Sequence, residues 1–425
     1  MVNAAGAPTA IAREELPLTR VVQKFGGTSV ADPDRLRHVA GRVARHVAAG
    51  ERVAVVVSAM AGQTDQLVRW VEDLGGPTAD WAEHDVVVAA GEQITSGLLA
   101  LALQRLGVRA RSCLGWQLPL HTDAAHGKAR IDRIDTAVVG EALDRGEVIV
   151  VPGFQGVDAA GRITTLGRGG SDTSAVALAA ALGAERCDIF TDVDGIYTTD
   201  PRIVPRARKV ARVTYEEMLE LASLGAKVLQ TRSVALAMQY NVPVQVLSSF
   251  EDKPGTLVSA DDPSMEHQTV SGITYSRDEA KITMVGVEDR PGVAARIFGT
   301  LADARVNVDM IVQSVSPDGR STDLTFTVAA SDLRRAQDAL AEIVPELGCR
   351  DVVADGGVVK LSVIGVGMRS HAGIAHRMFD VLAERGINIQ AISTSEIKIS
   401  VLIPEEYTEL AIRTLHSAYG LDGDV

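Results

Sequence analysis

The chain has 425 residues, of which 46% are apolar and 23% charged, the balance of a globular protein with room for two or three domains. Its formal net charge of −13 leaves no dominant basic surface, which argues against a nucleic-acid or anionic-membrane binder and leaves only a local basic pocket for a phosphate. No apolar run reaches the roughly 18 residues of a membrane span, and residues 1–20 lack the basic start and apolar stretch of a secretory signal. Cys113, Cys187 and Cys349 lie far apart, and neither they nor the nine histidines show redox or metal-ligand spacing. The expectation is a cytoplasmic protein with three buried, reduced thiols, a flexible tail over 1–20, and no membrane or nucleic-acid partner.

A strand is predicted over 18–25, ending on Gly26-Gly27-Thr28-Ser29. Asp32 then caps a helix with Pro33 in its first turn, and Leu36, Val39, Val43 and Val47 recur at helical spacing. The β-branched run 53–57 reads as a strand buried on both faces. Further strands at 147–151, 187–191 and 242–247, with helices at 174–182 and 215–224, predict an α/β domain over 21–258 with a parallel-rich sheet flanked by helices. Thr214 and Glu217 carry a capping-box signature for the last of these helices. A turn at 251–255 and a polar stretch with Asp261, Asp262 and Pro263 mark a linker over 259–268.

An internal repeat follows. Gly292, Phe298, Leu301 and Asn307 recur as Gly373, Phe379, Leu382 and Asn388, all offset by 81. In the first copy, strands at 281–287, 306–315, 322–328 and 349–353 and helices at 293–304 and 333–347 predict a small βαββαβ module over 276–355. The second copy, over 356–425, runs out of chain after a helix at 405–419 and lacks its fourth strand. The alternating segment 269–275, with no partner of its own, is expected to complete it, so that the two modules interlock.

Four patches carry chemistry. Lys24-Phe25-Gly26-Gly27-Thr28-Ser29 is a strand-to-helix turn that brings backbone and a point charge close to an anion, or is a plain tight turn; it is not a Walker loop. Residues 165–174 are a second glycine loop at a helix N-terminus, with Arg168 suited to a carboxylate and Asp172 either an N-cap or a residue that positions a metal-bound or attacking group. Residues 190–202 leave a strand where open α/β sheets place ligands, and read as a nucleotide loop or a surface turn. Lys227 closes a capped helix, where it complements the dipole or meets a ligand.

Together these segments resemble the aspartate kinase family of the amino-acid kinase fold, from Val21 onward, through KFGGTSVAD, VVVSAM…TD, AGE, TTLGRGGSDTSA, FTDVDGIYTTDPR and YEEMLELASLGAKVLQTRS. The repeat resembles the family's paired, amino-acid-sensing ACT domains. The resemblance implies ATP and Mg²⁺ as cofactors, L-aspartate as substrate and 4-phospho-L-aspartate as product, in lysine, threonine and methionine biosynthesis. It implies Lys24, Asp172 and Lys227 as catalytic residues. For ATP it implies Lys24, Phe25, Gly26, Gly27, Ser29, Thr191, Asp192, Tyr197, Arg202 and Lys227. For aspartate it implies Thr64, Glu92, Arg168 and Ser171, with no metal ligands assigned. Ala61-Gly62-Gln63 departs from the usual pattern before Thr64, which leaves the substrate loop's details open.

The regulatory half is most similar to the type inhibited jointly by lysine and threonine. Asp289, Pro291, Gly292, Asn307, Asp309 and Gln313 in the first module, and Gly373, Asn388 and Ile389 in the second, are its expected effector contacts. A homo-oligomer is implied, or a hetero-oligomer with a regulatory subunit started internally at Met265. Two other readings are a related kinase acting on another acyl acceptor, such as glutamate, and a silent sensor that kept the fold. The ACT pair with the AGE and GRGGSD motifs weighs against the first, and the joint retention of Lys24, Glu92, Arg168, Asp172 and Lys227 against the second.

Overall fold

The computed structural model describes residues 19–224, 228–261, 269–316 and 319–422; the tail over 1–18, Lys227 and the part of the linker with Met265 lie outside the described residues. The chain divides into two units, Met1–Asp192 with Val242–Gln245, and Val193–Asn241 with Val246–Val425.

In the first unit, β1 (Arg20–Phe25) leads through a short 3₁₀ turn into α1 (Pro33–Ala48). The α1 N-cap is Asp32, whose carboxylate accepts from the N–H of Asp34 and of Arg35, both at 2.9 Å. The unit continues with β2 (Arg52–Val57), α2 (Gln63–Gly75), α3 (Trp81–Val88), α4 (Ala90–Arg105) and β3 (Ala110–Ser112). Next come β4 (Leu120–Thr122), β5 (Ile131–Ile134), α5 (Ala137–Asp144), β6 (Val148–Pro152) and β7 (Gln155–Val157). β8 (Ile163–Thr165), α6 (Gly170–Leu182) and β9 (Arg186–Thr191) complete it. Strands β9-β1-β2-β6-β3 are neighbours in that order and all parallel. A smaller sheet, β5-β4-β7-β8, lies beside this one in sequence.

The parallel register aligns the strand ends. Phe25 sits opposite Val57, and Val57 opposite Pro152. The loops after β1, β2 and β6 therefore leave the sheet side by side, at the edge where open parallel sheets bind ligands. Below that edge, Phe25 and Phe190 stack with centroids 4.6 Å apart, and the Arg42 guanidinium lies 5.0 Å from the Phe190 centroid.

By length and composition, the helical run Trp81–Arg105 is long and apolar enough to cross a membrane, although half of it is buried inside the protein. It is the core pair α3 and α4: Val88, Leu99 and Leu103 are buried, and so are two of its three carboxylates, Asp85 and Glu92, which both bond within the unit. The thiols differ from expectation, since Cys113 and Cys187 are buried but Cys349 is only half-buried.

In the second unit, β10 (Ile196–Tyr197) pairs with β11 (Lys209–Val210), followed by β12 (Arg212–Thr214), α7 (Tyr215–Ser223) and α8 (Thr231–Tyr240); β13 (Val244–Ser248) starts in the first unit's segment Val242–Gln245 and ends in the second. β14 (Thr256–Ser259) runs parallel to β12. It has no counterpart among the elements expected from sequence, because two buried side chains, Thr256 and Val258, make too short a pattern to register.

The regulatory modules begin with β15 (Gly272–Ser276) and β16 (Ala280–Glu288). α9 (Val293–Asp303), β17 (Val308–Val315), β18 (Ser321–Val328), α10 (Leu333–Ile343) and β19 (Asp351–Asp355) follow. β20 (Val358–Ile364), α11 (Ile374–Glu384), β21 (Ala391–Thr394), β22 (Lys398–Pro404) and α12 (Thr408–Ala418) end the chain's regular structure. The first sheet is β17-β18-β16-β19 and the second β15-β20-β22-β21. β15 precedes the first module in the chain yet pairs antiparallel with β20 of the second, from Gly272 opposite Ile364 to Ser276 opposite Lys360. The modules are thus interlocked.

Helix α7 is tied into the second module through one carboxylate. Glu217 is buried; its Oε2 accepts from the Thr214 N–H at 3.0 Å and hydroxyl at 3.1 Å, closing the capping box. Its Oε1 accepts from the Ser271 hydroxyl and from the Val366 N–H at 2.9 Å. Glu217→Ala strands two backbone donors, each at about 1–3 kcal/mol. We expect an unfolding free energy lower by about 3 kcal/mol in urea titration, with Glu217→Gln losing less because it keeps an acceptor; a loss under about 0.5 kcal/mol would show that water takes the carboxylate's place.

Candidate active site

Lys24 is the penultimate residue of β1, and its side chain points to the opposite sheet face from the stacked Phe25. Its Nζ lies 2.6 Å from Asp172 Oδ1, and both side chains are 11% exposed. Helix α6 starts at Gly170, four residues earlier than its apolar run suggests, and its N-cap is Gly169 in the left-handed region at φ 69°. Asp172 therefore stands in the first turn and does not cap the helix; its charge is used on Lys24. The loop after β1 passes so close to the loop after β2 that a Cβ on Gly27 would lie 2.9 Å from the Ala59 carbonyl oxygen. Only glycine fits there.

Glu92, in the first turn of α4, is 3% exposed. Its Oε1 accepts from the Ala59 N–H at 2.9 Å, while Oε2 is buried with no hydrogen-bond partner. Burial pushes this carboxyl up to about 7, against the lowering effect of the Ala59 N–H. An unpartnered buried carboxylate oxygen is a place for a cation. Arg168, carried on the loop between β8 and α6, is exposed and has no ion-pair or hydrogen-bond partner among the described residues. Lys24, Thr64, Glu92, Arg168, Ser171 and Asp172 line one cleft of about 370 Å³, with Gly27 in its wall. The N-terminus of α6 opens into the same space, which suits an anion.

Other expected residues fall elsewhere. The Phe25 ring is packed on Phe190 and the Gly26 N–H donates to the Phe190 carbonyl at 3.3 Å, so these two shape the sheet edge from within. Ser29 is buried, and the Thr191 hydroxyl donates to Asp192 at 3.2 Å. In the second unit, the Tyr197 hydroxyl donates to Asp194 Oδ1 at 2.9 Å, and Lys209 Nζ to Asp194 Oδ2 at 3.1 Å. Lys209 is a cation that motif reading missed; the Asp194 it pairs with lies in the 190–202 loop and was the available signal. Arg202 folds back on Asp200, 2.8 Å away, with its side chain largely exposed.

The expected effector residues also divide. Asp289, Pro291, Gly292 and Gln313 line a cavity of about 430 Å³ at the N-terminus of α9, together with Arg290 and Thr322. Asp309 does not belong to it: its carboxylate meets Lys360 at 2.6 Å, and Lys360 in turn meets Glu279 at 2.5 Å. Asn307 and Asn388 are exposed, Ile389 packs on the second module's core, and Gly373 N-caps α11 at φ 94°.

Residues 19–248 match the amino acid kinase family, and residues 281–345 and 361–419 match ACT domains. An aspartate kinase of Pseudomonas putida is 53% identical over 406 residues, covering 95% of this chain and 98% of that protein. An aspartokinase of Pseudomonas aeruginosa is 54% identical over 404 residues, with the same coverage of each. Among solved structures, E. coli aspartokinase III in complex with aspartate and ADP (R-state) superposes with a TM-score of 0.76 at 29% identity, over 94% of this chain and 99% of that one. The same enzyme with lysine and aspartate (T-state) gives 0.73 over 93% and 98%. With a cleft that gathers a paired lysine, an unpartnered buried carboxylate and a free guanidinium, followed by two interlocked ACT modules, the chain belongs to the aspartate kinase family.

Proposed function

We propose that this cleft transfers the γ-phosphoryl group of ATP to the side-chain carboxylate of L-aspartate, giving 4-phospho-L-aspartate, and that the ACT modules carry feedback inhibition by lysine and/or threonine. The observation that carries the reading is the pair of free partners in one cleft: Glu92 Oε2 for an α-ammonium and Arg168 for an α-carboxylate, with Lys24 beside them. The aspartate-and-ADP complex of the E. coli enzyme supports it. The acceptor carboxylate is already ionised near neutral pH, so the site needs no strong base. Its task is to hold two anions together in line.

Lys24 meets the transferring phosphate with a point charge that Asp172 has already positioned. Thr64 and Ser171 hold the substrate from the cleft wall. Tyr197, Arg202 and Lys227 are assigned to the nucleotide. Among the described residues no cluster of three or more His, Cys, Asp or Glu can hold a metal by itself. That fits Mg²⁺, which usually binds through one or two carboxylates plus substrate phosphates, and of the carboxylates lining the cleft (Asp65, Glu92 and Asp172) Asp172 is the one beside Lys24. When bound, the ion offsets phosphate charge.

Three outcomes are expected. Lys24→Ala loses at least about 100-fold in kcat, the scale of one electrostatic donor; near-normal turnover by a folded variant would end that role. Glu92 must be ionised to receive the ammonium, and it takes up its proton as pH falls through about 7. Thus kcat/KM for aspartate should fall about tenfold per pH unit well below that point, and Glu92→Gln should be low and flat over the same range. A limb unchanged in Glu92→Gln would assign the titration elsewhere. Finally, aspartyl-hydroxamate formation from ATP, Mg²⁺, L-aspartate and hydroxylamine should be suppressed most by lysine and threonine together; indifference to both would discard the effector assignment while keeping the kinase.

A further inference from the structure

We propose that Asp85 is a positioning residue for the amino-acid end of the substrate pocket, fixing the loop that presents Arg168; the proposal rests on the reading of Arg168 as the α-carboxylate clamp. Asp85 lies on α3 and is 0% exposed. Its Oδ2 accepts from the Thr165 N–H at 2.9 Å, the Gly127 N–H at 3.0 Å and His126 Nδ1 at 3.0 Å. Its Oδ1 accepts from the Thr165 hydroxyl at 2.6 Å and lies 3.4 Å from His84 Nδ1. A group that accepts on both oxygens and donates nothing is what this ring of donors requires. Bonds to an ionised acceptor are about twice as strong as neutral ones.

The donors come from two segments, one with His126 and Gly127 and one with Thr165, and the second leads into Gly167 and Arg168, which line the cleft. Thr165 ends β8, three residues before Arg168. The Thr165 carbonyl accepts from the Ala129 N–H at 2.9 Å. Gly167 has φ 76°, and a Cβ there would lie 3.1 Å from the Gly127 carbonyl oxygen. Segments 126–129 and 165–167 are thus closed on one another, with Asp85 beneath both. The Arg168 guanidinium has no partner of its own among the described residues, so its position is inherited from this base. Asp85 also stands on the same helical run as Glu92, which begins the next helix after Ala89. One run therefore carries the ammonium acceptor and the carboxylate that holds the Arg168 loop. It sets the spacing between the two ends of an α-amino acid.

The test is steady-state kinetics on the full chain. Asp85→Ala should raise KM for aspartate at least about tenfold, a change on the scale of one lost charge-assisted bond, with kcat and KM for ATP within about twofold. Asp85→Asn should recover most of this, because its oxygen can serve the Oδ2 donors while its amide faces the Thr165 hydroxyl. Thr165→Val removes only the 2.6 Å bond and should raise KM for aspartate about threefold; it keeps the question answerable if Asp85→Ala fails to fold. In Asp85→Ala/Arg168→Ala, KM should be no higher than in Arg168→Ala alone. An unchanged KM in Asp85→Ala and Thr165→Val overturns the proposal. So does a parallel loss of kcat and ATP binding with lowered thermal stability, which marks a general folding role. A fully multiplicative double variant overturns the route through Arg168 while leaving the clamp intact. An unchanged KM in Arg168→Ala overturns the clamp reading itself, and this route with it.

Discussion

The ion pair between Lys24 and Asp172 joins the last turn of the sheet edge to the first turn of α6, and the cleft is laid out from it. Both groups are taken largely out of water, which is costly for either alone and tolerable for the two at 2.6 Å. Asp172 fixes where the ammonium stands, so on the proposed reading little rearrangement remains when a phosphate arrives. From the same strand end, the close approach of Gly27 to the Ala59 carbonyl sets the loop after β2, and the Ala59 N–H sets Glu92. Three segments apart in sequence thereby meet within one volume.

The same frame explains why the charges differ in kind. Lys24 is neutralised before substrate binds, whereas Glu92 is left half-satisfied and Arg168 unpaired. On the proposed reading, a site that pairs its phosphate-binding cation internally and leaves its amino-acid partners open is arranged to take the amino acid as a zwitterion. Burial raises the Glu92 carboxyl toward neutrality, and on that reading an incoming ammonium restores its charge.

Much of this was legible in the sequence. Strand and helix order followed from β-branched runs and 3.6-residue periodicity, and the capping box at Thr214 stands as read. Motif resemblance pointed to Lys24, Glu92, Arg168 and Asp172, which the fold brings into one cleft. What spacing could not supply was pairing across distance. Asp172 has a sequence pattern that fits a cap as well as an ion pair, and only the left-handed Gly169 decides between them. Asp309 looked free until Lys360, 51 residues on, was placed against it. Asp85 shares α3 with Glu83, and apart from the adjacent His84 its partners lie 41 to 80 residues away. No local period reveals such a residue. The run Trp81–Arg105 matches a membrane span by length and composition, yet half of its most apolar stretch is buried inside the protein, with Asp85 and Glu92 among the buried side chains.

The regulatory modules are not an appendage to the chain's second unit. Ile203 and Val204, from the segment after the 190–202 loop, are buried in the second module's own core with Ile273, Leu361 and Leu415. Nearby, Thr198 Oγ1 lies 2.8 Å from His416 Nε2, and His416 Nδ1 lies 3.0 Å from Asp422. Burial holds this imidazole below its ordinary value, so its neutral form can donate to Asp422 and accept from Thr198. Glu217 adds a third tie, between α7 and β15 with the turn after β20. These links are short, buried and of different chemistry, so the second module cannot repack without moving residues 196–208 or straining their contacts. On the proposed reading of 190–202 as the nucleotide loop, an effector that binds two arrangements of that module unequally biases that loop through the shared hydrophobic core.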